Sequence, residues 1–222
     1  MKAPDQAYPC PLCGNAESYS FFVDKYRHYQ RCSDCDLVFV PRQYWLSATA
    51  EKASYDLHEN SAEDPGYRRF LSRLSTPLVE KLETGQTGLD FGCGPGPALP
   101  ALLAEHGLCM DLYDPFYYNE PAVFSKSYDF ICATEVVEHL RDPSQEFSSL
   151  FRMLKPGGWL GIMTKLVIDQ EAFGQWHYIR DPTHICFYSR STLIAIARRF
   201  HATIDFVPPD VILMNKTYPR VA

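Results

Sequence analysis

Three groups of residues have the types and the spacing to do chemistry. The first is LDFGCGPGP, residues 89–97, where Asp90 ends a short apolar run and Gly92, Gly94 and Gly96 follow at alternate positions. Alternating glycines let a backbone bend sharply and approach a ligand with no Cβ in the way, and a helix starting there turns its free N–H groups toward that ligand. The pattern reads as a cradle for a nucleotide-type cofactor, with a plain strand–helix turn as the bland alternative. A dinucleotide fingerprint would need a small third residue where the count from Gly92 reaches Pro97. The second group is two C-x-x-C knuckles, Cys10/Cys13 and Cys32/Cys35, separated by 18 residues. That spacing lets two turns converge on one tetrahedral ion, so zinc is expected, with a redox pair as the lesser reading. The third is residues 176–188, WHYIRDPTHICFY, which concentrate aromatics, His177, His184 and Asp181. His184 can be charged or neutral near pH 7, which suits a base that orients or deprotonates a reactant, and Asp181 is placed to steer its ring. A packed loop whose histidines bond to backbone is the competing reading.

These groups need elements to hold them. Thr87–Phe91 reads as a strand and Leu99, Leu102 and Leu103 mark the helix after the glycines. Leu108–Tyr113 is the next strand, ending in Asp114, an acid placed to accept both hydroxyls of a ribose. Tyr128–Ala133 and Trp159–Thr164 are further strands, with a helix between them opened by Asp142-Pro143-Ser144-Gln145 as N-cap, N1 proline and capping partner. Ser191–Phe200 is a helix, and Thr203–Val207 with Val211–Asn215 form a closing antiparallel pair. Upstream, Tyr67, Phe70, Leu71, Leu74, Leu78 and Leu82 recur at helical spacing, interrupted by Pro77. Only 13 residues separate Asp114 from Tyr128, too few for helix, strand and loop, so any strand there is vestigial, at Ala122–Phe124.

The chain has 222 residues, eight cysteines and a formal charge of -6. This length fits one α/β domain with a small appendage, and the acidic balance disfavours general affinity for nucleic-acid phosphates. Lys25, Arg27, His28 and Arg31 among tyrosines read as the solvated face of a hairpin, a nucleic-acid surface being the sharper alternative. With no long apolar run and no apolar leader, the expectation is a cytoplasmic protein without a membrane span. Cys93, Cys109, Cys132 and Cys186 read as small buried hydrophobes.

The acid-x-G-x-G-x-G stretch at Asp90–Gly96 resembles motif I of the class I S-adenosylmethionine-dependent methyltransferases. Asp114-Pro115, the Thr134–Leu140 stretch after the fourth strand, the Lys155–Gly158 turn and the HYIRDPTH stretch at 177–184 resemble the same family. The resemblance implies a doubly wound, mostly parallel α/β sheet with a shortened strand-three region, covering residues 66–222, preceded by a zinc ribbon at 1–40 and a linker or lid at 41–65. It implies S-adenosylmethionine at Asp90, Gly92, Gly94, Gly96 and Asp114, bordered by Thr134 and Glu135. Phe116, with Tyr117 and Tyr118, would wall the adenine in place of the missing acid. Tyr55 and His58 would close over the methionine end. The implied acceptor is a small metabolite. A ribbon-guided RNA or protein methyltransferase and a non-catalytic cofactor-binding scaffold are the alternatives.

Overall fold

The structure is a computed structural model that describes residues 8–57 and 61–218. Its centre is a sheet of strands β4 (Thr87–Phe91), β5 (Cys109–Tyr113), β6 (Tyr128–Thr134), β7 (Leu154–Met163), β9 (Ala202–Val207) and β10 (Val211–Lys216), in the order β5-β4-β6-β7-β10-β9. Strands β5, β4, β6 and β7 are mutually parallel, while β10 runs antiparallel to both β7 and β9. The strand order reverses direction at β4, so the carboxyl ends of β4 and β6 flank a crevice where doubly wound sheets place ligands. The stretch between β5 and β6 contains no strand: Pro121–Ser125 is a 3-10 turn, capped by Glu120, with Val123 buried. The vestigial strand expected at Ala122–Phe124 is therefore a turn, and β5 is the sheet edge.

Helix α2 (Pro65–Val79) starts at Asp64, whose side chain accepts the Gly66 N–H, and buries Leu71, Leu74 and Leu78 over β7 and β10. Helix α3 (Leu99–Ala104) follows the glycine loop, and α4 (Pro143–Met153) is capped by Asp142, which accepts the Gln145 N–H. Helix α6 (Arg190–Arg199) opens with a capping box between Ser189 and Thr192. The stretch at 41–65 is more structured than a linker. It holds a 3-10 turn at Arg42–Tyr44 and helix α1 (Ala48–Tyr55), capped by Ser47. Arg141 on Glu51 and the Tyr117 hydroxyl on Asp56 at 2.7 Å fasten this segment over the main sheet.

A second sheet is built from the N-terminal hairpin β1 (Ser18–Val23) and β2 (His28–Cys32), then β3 (Val38–Phe39) and β8 (Cys186–Phe187). The fourth strand comes from the stretch after β7, which also contains α5 (Gln170–Gln175) and a 3-10 turn at His177–Arg180. The ribbon sheet is thus completed by residues nearly 150 positions further along the chain. One apolar cluster runs from Leu12, Phe21, Tyr29 and Leu37 of the ribbon to Phe147, Ile162 and Leu193 of the main domain. Phe173 on α5 sits at the junction with its ring against Phe21, Tyr29, Trp176 and Phe187.

Replacing Phe173 with Ala removes this shared ring, and a loss of about 3–5 kcal/mol is expected in urea unfolding. The ribbon and the main sheet should lose hydrogen-exchange protection together. A variant whose ribbon amides open while the main-sheet amides stay protected would contradict a joint core.

Candidate functional site

The glycine loop leaves β4 through two left-handed residues, Gly92 (φ +75°) and Gly94 (φ +66°). A Cβ on Gly92 would meet the Val136 side chain at 2.5 Å, whereas one on Gly94 would meet nothing within 4 Å. The loop is therefore pressed against the turn after β6 on one side and open on the other, as a cradle for a ligand must be. Asp114, buried at the end of β5, accepts the Gly94 N–H at 3.1 Å through Oδ2 and the Phe116 and Tyr117 N–H groups through Oδ1. Its carboxylate is thereby locked at the loop, with one lone-pair site on Oδ2 left for an incoming hydroxyl. Asp90 is fully enclosed, and burial, with Asp114 second, pushes its pKa up to about 7.

On the other side of Val136, Glu135 occupies a left-handed backbone position (φ +52°), an outlier of the kind that gathers at working sites. Its Oε1 and the Thr134 Oγ1 are buried with no hydrogen-bond partner among the described residues. Glu138 is wholly buried; Thr164 Oγ1 donates to its Oε2 at 3.2 Å and the Tyr178 hydroxyl donates to its Oε1. Burial, with the neighbouring Glu135 second, pushes Glu138 up to about 8.

His184 is buried, and its Nδ1–H donates to the Tyr178 carbonyl at 2.8 Å, which leaves Nε2 with a lone pair. Burial lowers its pKa and favours that neutral form. The ring is therefore oriented by a backbone carbonyl, while Asp181 Oδ2 stands 3.7 Å from Nε2 and Asp181 Oδ1 accepts from Thr183. His139 Nδ1 bonds the Thr183 carbonyl at 3.2 Å, and the two imidazoles meet edge to face at 4.7 Å. Glu138, His139 and His184 each bring one ligand atom within 4.8 Å of the others, close enough for a cation to bridge them.

Tyr55 joins the two halves of the site. Its ring lies 5.9 Å from Phe116 and 5.4 Å edge-on to His139, so the end of α1 covers the space between the glycine loop and the histidines. His58 lies outside the described residues. His177 does not join His184: it is exposed, and its Nε2 accepts from Lys165 Nζ at 2.9 Å. Lys165 belongs to a cleft of about 410 Å³ at the carboxyl end of β7, lined by Arg73, Leu166, Phe173, Trp176 and Asp210. Trp176 stacks on Tyr178 at 4.8 Å, so cleft and cluster share a wall.

At the N-terminus, Cys10 and Cys35 Sγ lie 3.5 Å apart, as do Cys13 and Cys32, and all four sulfurs fall within 4.8 Å of one another. Tetrahedral zinc at about 2.3 Å sets neighbouring sulfurs about 3.8 Å apart, so the four fit one ion. Each knuckle ends in a left-handed residue, Gly14 (φ +76°) or Asp36 (φ +66°), whose N–H returns to the carbonyl of the knuckle's first cysteine.

Two participants escaped the sequence reading. Arg27, read as part of a solvated face, is 6% exposed and reaches into the 178–184 loop. Tyr178, read only as one of the loop's aromatics, stands between two buried carboxyls. The i, i+2 spacing of Arg27 and Tyr29 across the end of the hairpin turn was the available signal for the first; none marked the second.

A mostly parallel sheet with a glycine loop and a buried acid, Asp114, converging on its switch point defines a Rossmann-like domain. A profile of the methyltransferase-domain family matches residues 61–205, and the chain belongs to that family. The ubiquinone biosynthesis O-methyltransferases of Saccharophagus degradans and Klebsiella pneumoniae are each 31% identical over 72 residues, spanning 32% of this chain and 30% of the relative. Among solved structures, an O-methyltransferase family protein from Burkholderia thailandensis superposes with TM-score 0.51 at 15% identity, covering 77% of this chain and 63% of that one. The SAH-bound form of CalO1, a methyltransferase in calicheamicin biosynthesis, gives 0.50 at 11% identity, covering 69% and 55%. These likenesses establish the class I methyltransferase fold.

Asp114→Ala should weaken S-adenosylhomocysteine binding by about 1.5–3 kcal/mol, the loss expected for hydrogen bonds to a charged group. Calorimetric titration reads this directly, and tighter binding of NADH than of S-adenosylhomocysteine by the unaltered chain would refute the assignment.

Proposed function

We propose that the protein transfers the methyl group of S-adenosylmethionine to a nucleophilic atom of a small metabolite. The observation that carries this reading is the convergence, through Val136 and Tyr55, of the glycine loop and Asp114 with the Glu138–His139–His184 cluster at one end of the sheet. Asp114 would hold the ribose, Gly92–Gly96 the amino-acid portion, Phe116 the adenine, and Thr134 and Glu135 the border with the acceptor. S-Adenosylmethionine supplies an already activated methyl, so the protein's task is alignment, for which roughly 7–11 kcal/mol is available from positioning. The acceptor would enter the cleft between Lys165 and Trp176, with apolar walls from Leu166 and Phe173 and polar handles from Lys165 and His177.

His184 Nε2 would orient the acceptor or take its proton. The proximity of Glu138, His139 and His184 favours a second reading of the same step, in which a divalent cation on these residues orients an acceptor oxygen. In either reading His184→Asn lowers turnover by roughly 100- to 10,000-fold and leaves cofactor affinity in place. Activity lost to a chelator and restored by Mg²⁺ or Mn²⁺, with the ribbon metal retained, selects the cation; indifference to chelator selects the base. Normal turnover by the variant would remove His184 from the chemistry.

The ribbon would hold one zinc on Cys10, Cys13, Cys32 and Cys35. Elemental analysis should find it, and Cys32→Ser should lose it and become protease-sensitive between β1 and β3. A metal-free chain with an unchanged protease pattern would show that no such site exists.

The transfer itself is tested by incubating the protein and methyl-labelled S-adenosylmethionine with a cell extract. Label is expected in the small-molecule fraction. Label confined to RNA or protein would favour the ribbon-guided alternatives, and cofactor binding with no transfer anywhere would favour the scaffold.

A further inference from the structure

The guanidinium of Arg27 sits at the tip of the ribbon hairpin yet is buried. Its Nε donates to the Tyr29 hydroxyl at 3.1 Å. Nη1 donates to the carbonyls of Pro182 (3.2 Å) and His184 (2.9 Å), and Nη2 to those of Asp181 (3.0 Å) and Ile179. All five N–H groups of the guanidinium find an acceptor, and four of those acceptors are main-chain oxygens between residues 179 and 184. The turn that presents Arg27 is itself fixed, because Asp24 Oδ1 accepts the Tyr26 and Arg27 N–H groups and its Oδ2 accepts from the Tyr29 hydroxyl at 2.9 Å.

We infer that Arg27 is the positioning residue of the acceptor loop: the ribbon supplies, from outside the methyltransferase domain, the cation around which residues 179–184 fold, and so sets where His184 stands. The inference rests on the reading of that loop as the one that handles the acceptor. Carbonyls turned inward on a short loop repel one another and would otherwise need water. A planar fork of five donors gathers them in one geometry, which a lysine ammonium with three donors on a flexible stem cannot reproduce. Two of these carbonyls belong to Asp181 and His184, whose side chains stand in the site. The imidazole of His184 is turned by the Tyr178 carbonyl at 2.8 Å, one residue before the first carbonyl that Arg27 holds. The Thr183 carbonyl, between two that Arg27 holds, receives His139 Nδ1. The Ile185 N–H then bonds the Glu138 carbonyl and its own carbonyl accepts from Val40, returning the chain to the ribbon sheet. Among the described residues none of the guanidinium's hydrogen bonds reaches the glycine loop or Asp114, so the cofactor half of the site should not feel its loss.

The test compares Arg27→Lys and Arg27→Ala with Lys25→Ala, an exposed neighbour. Three quantities are read on the full chain: S-adenosylhomocysteine affinity, hydrogen exchange of the amides at 178–188, and label transfer to the small-molecule fraction of a cell extract. Both Arg27 variants should bind S-adenosylhomocysteine normally, exchange the 178–188 amides faster, and lose at least about tenfold in transfer. Free guanidinium at a sub-denaturing concentration should restore protection and transfer to Arg27→Ala, which a merely structural role would not allow; Lys25→Ala should behave as the unaltered protein. If either Arg27 variant fails to fold, Tyr29→Phe, which removes one acceptor of the fork together with the hydroxyl that bonds Asp24 and the Ile179 carbonyl, should show the same pattern at smaller size. Unchanged exchange and transfer in Arg27→Lys, or a loss of S-adenosylhomocysteine affinity in parallel with transfer, would overturn the inference. If the unaltered protein labels no small molecule, the reading of the loop fails, while faster exchange at 178–188 still reports whether Arg27 holds it.

Discussion

A guanidinium removed from water must find acceptors for every N–H or the fold bears the cost of an unpaired charge, and here the acceptors are supplied by another part of the chain. The hairpin turn 24–29 and the loop 178–184 are therefore mutually dependent: neither buries its polar groups without the other. The pairing of β3 with β8 continues the same junction in backbone hydrogen bonds, and the ring cluster around Phe173 continues it in apolar contact. A ribbon of this size has little core of its own, and the four cysteine sulfurs and this borrowed strand are what it has in place of one. The loop that carries His184 consequently rests on two folded units at once, while the glycine loop and Asp114 stand on strands of the main sheet.

Enclosed acids stand on both sides of Val136. Asp90 is pushed up to about 7 and Glu138 to about 8, each chiefly by burial and each with another carboxyl as the second cause. Enclosed acids beside acids raise the free energy of the empty site. A cofactor carrying a sulfonium and an ammonium would offset that cost on binding. Glu135 is raised as well, again chiefly by burial, with the Tyr178 hydroxyl and the positive charges of Lys165 and Arg73 opposing that rise. The arrangement is one in which positive charge is expected from the ligand on one side and is already present in the protein on the other.

Much of this was legible in the sequence because the signals were local. The glycine spacing, the acid ending each strand, the Asp142-Pro143 cap and the two knuckles each act within a few residues, and the corresponding strands and caps stand where those signals put them. What was not legible depended on distant partners. Arg27 reads as solvated by composition, and only the loop 150 residues away makes it buried. Cys186-Phe187 is too short to announce a strand without Val38-Phe39 beside it. Helix α1 is weakly amphipathic and contributes no buried residue, so periodicity could not mark it; its ties to Arg141 and Tyr117 are tertiary. The span between β5 and β6 was correctly too short for a helix and strand, but chain length could not say that the remnant would be a 3-10 turn. The linear reading set His184 apart by its Asp-Pro-Thr context but kept His177 as a partner, and a turn of 3-10 helix sends His177 to Lys165 and solvent while His184 lies in the interior.

The account stands most directly on where the cofactor lies relative to the histidine cluster. A crystal structure of the protein with S-adenosylhomocysteine measures that placement. It should show the ribose hydroxyls on Asp114, the adenine against Phe116, and the sulfur opening toward Glu135 and the Glu138–His139–His184 group beneath Tyr55. A ligand bound away from the glycine loop, or one whose sulfur faces away from that cluster, would contradict it.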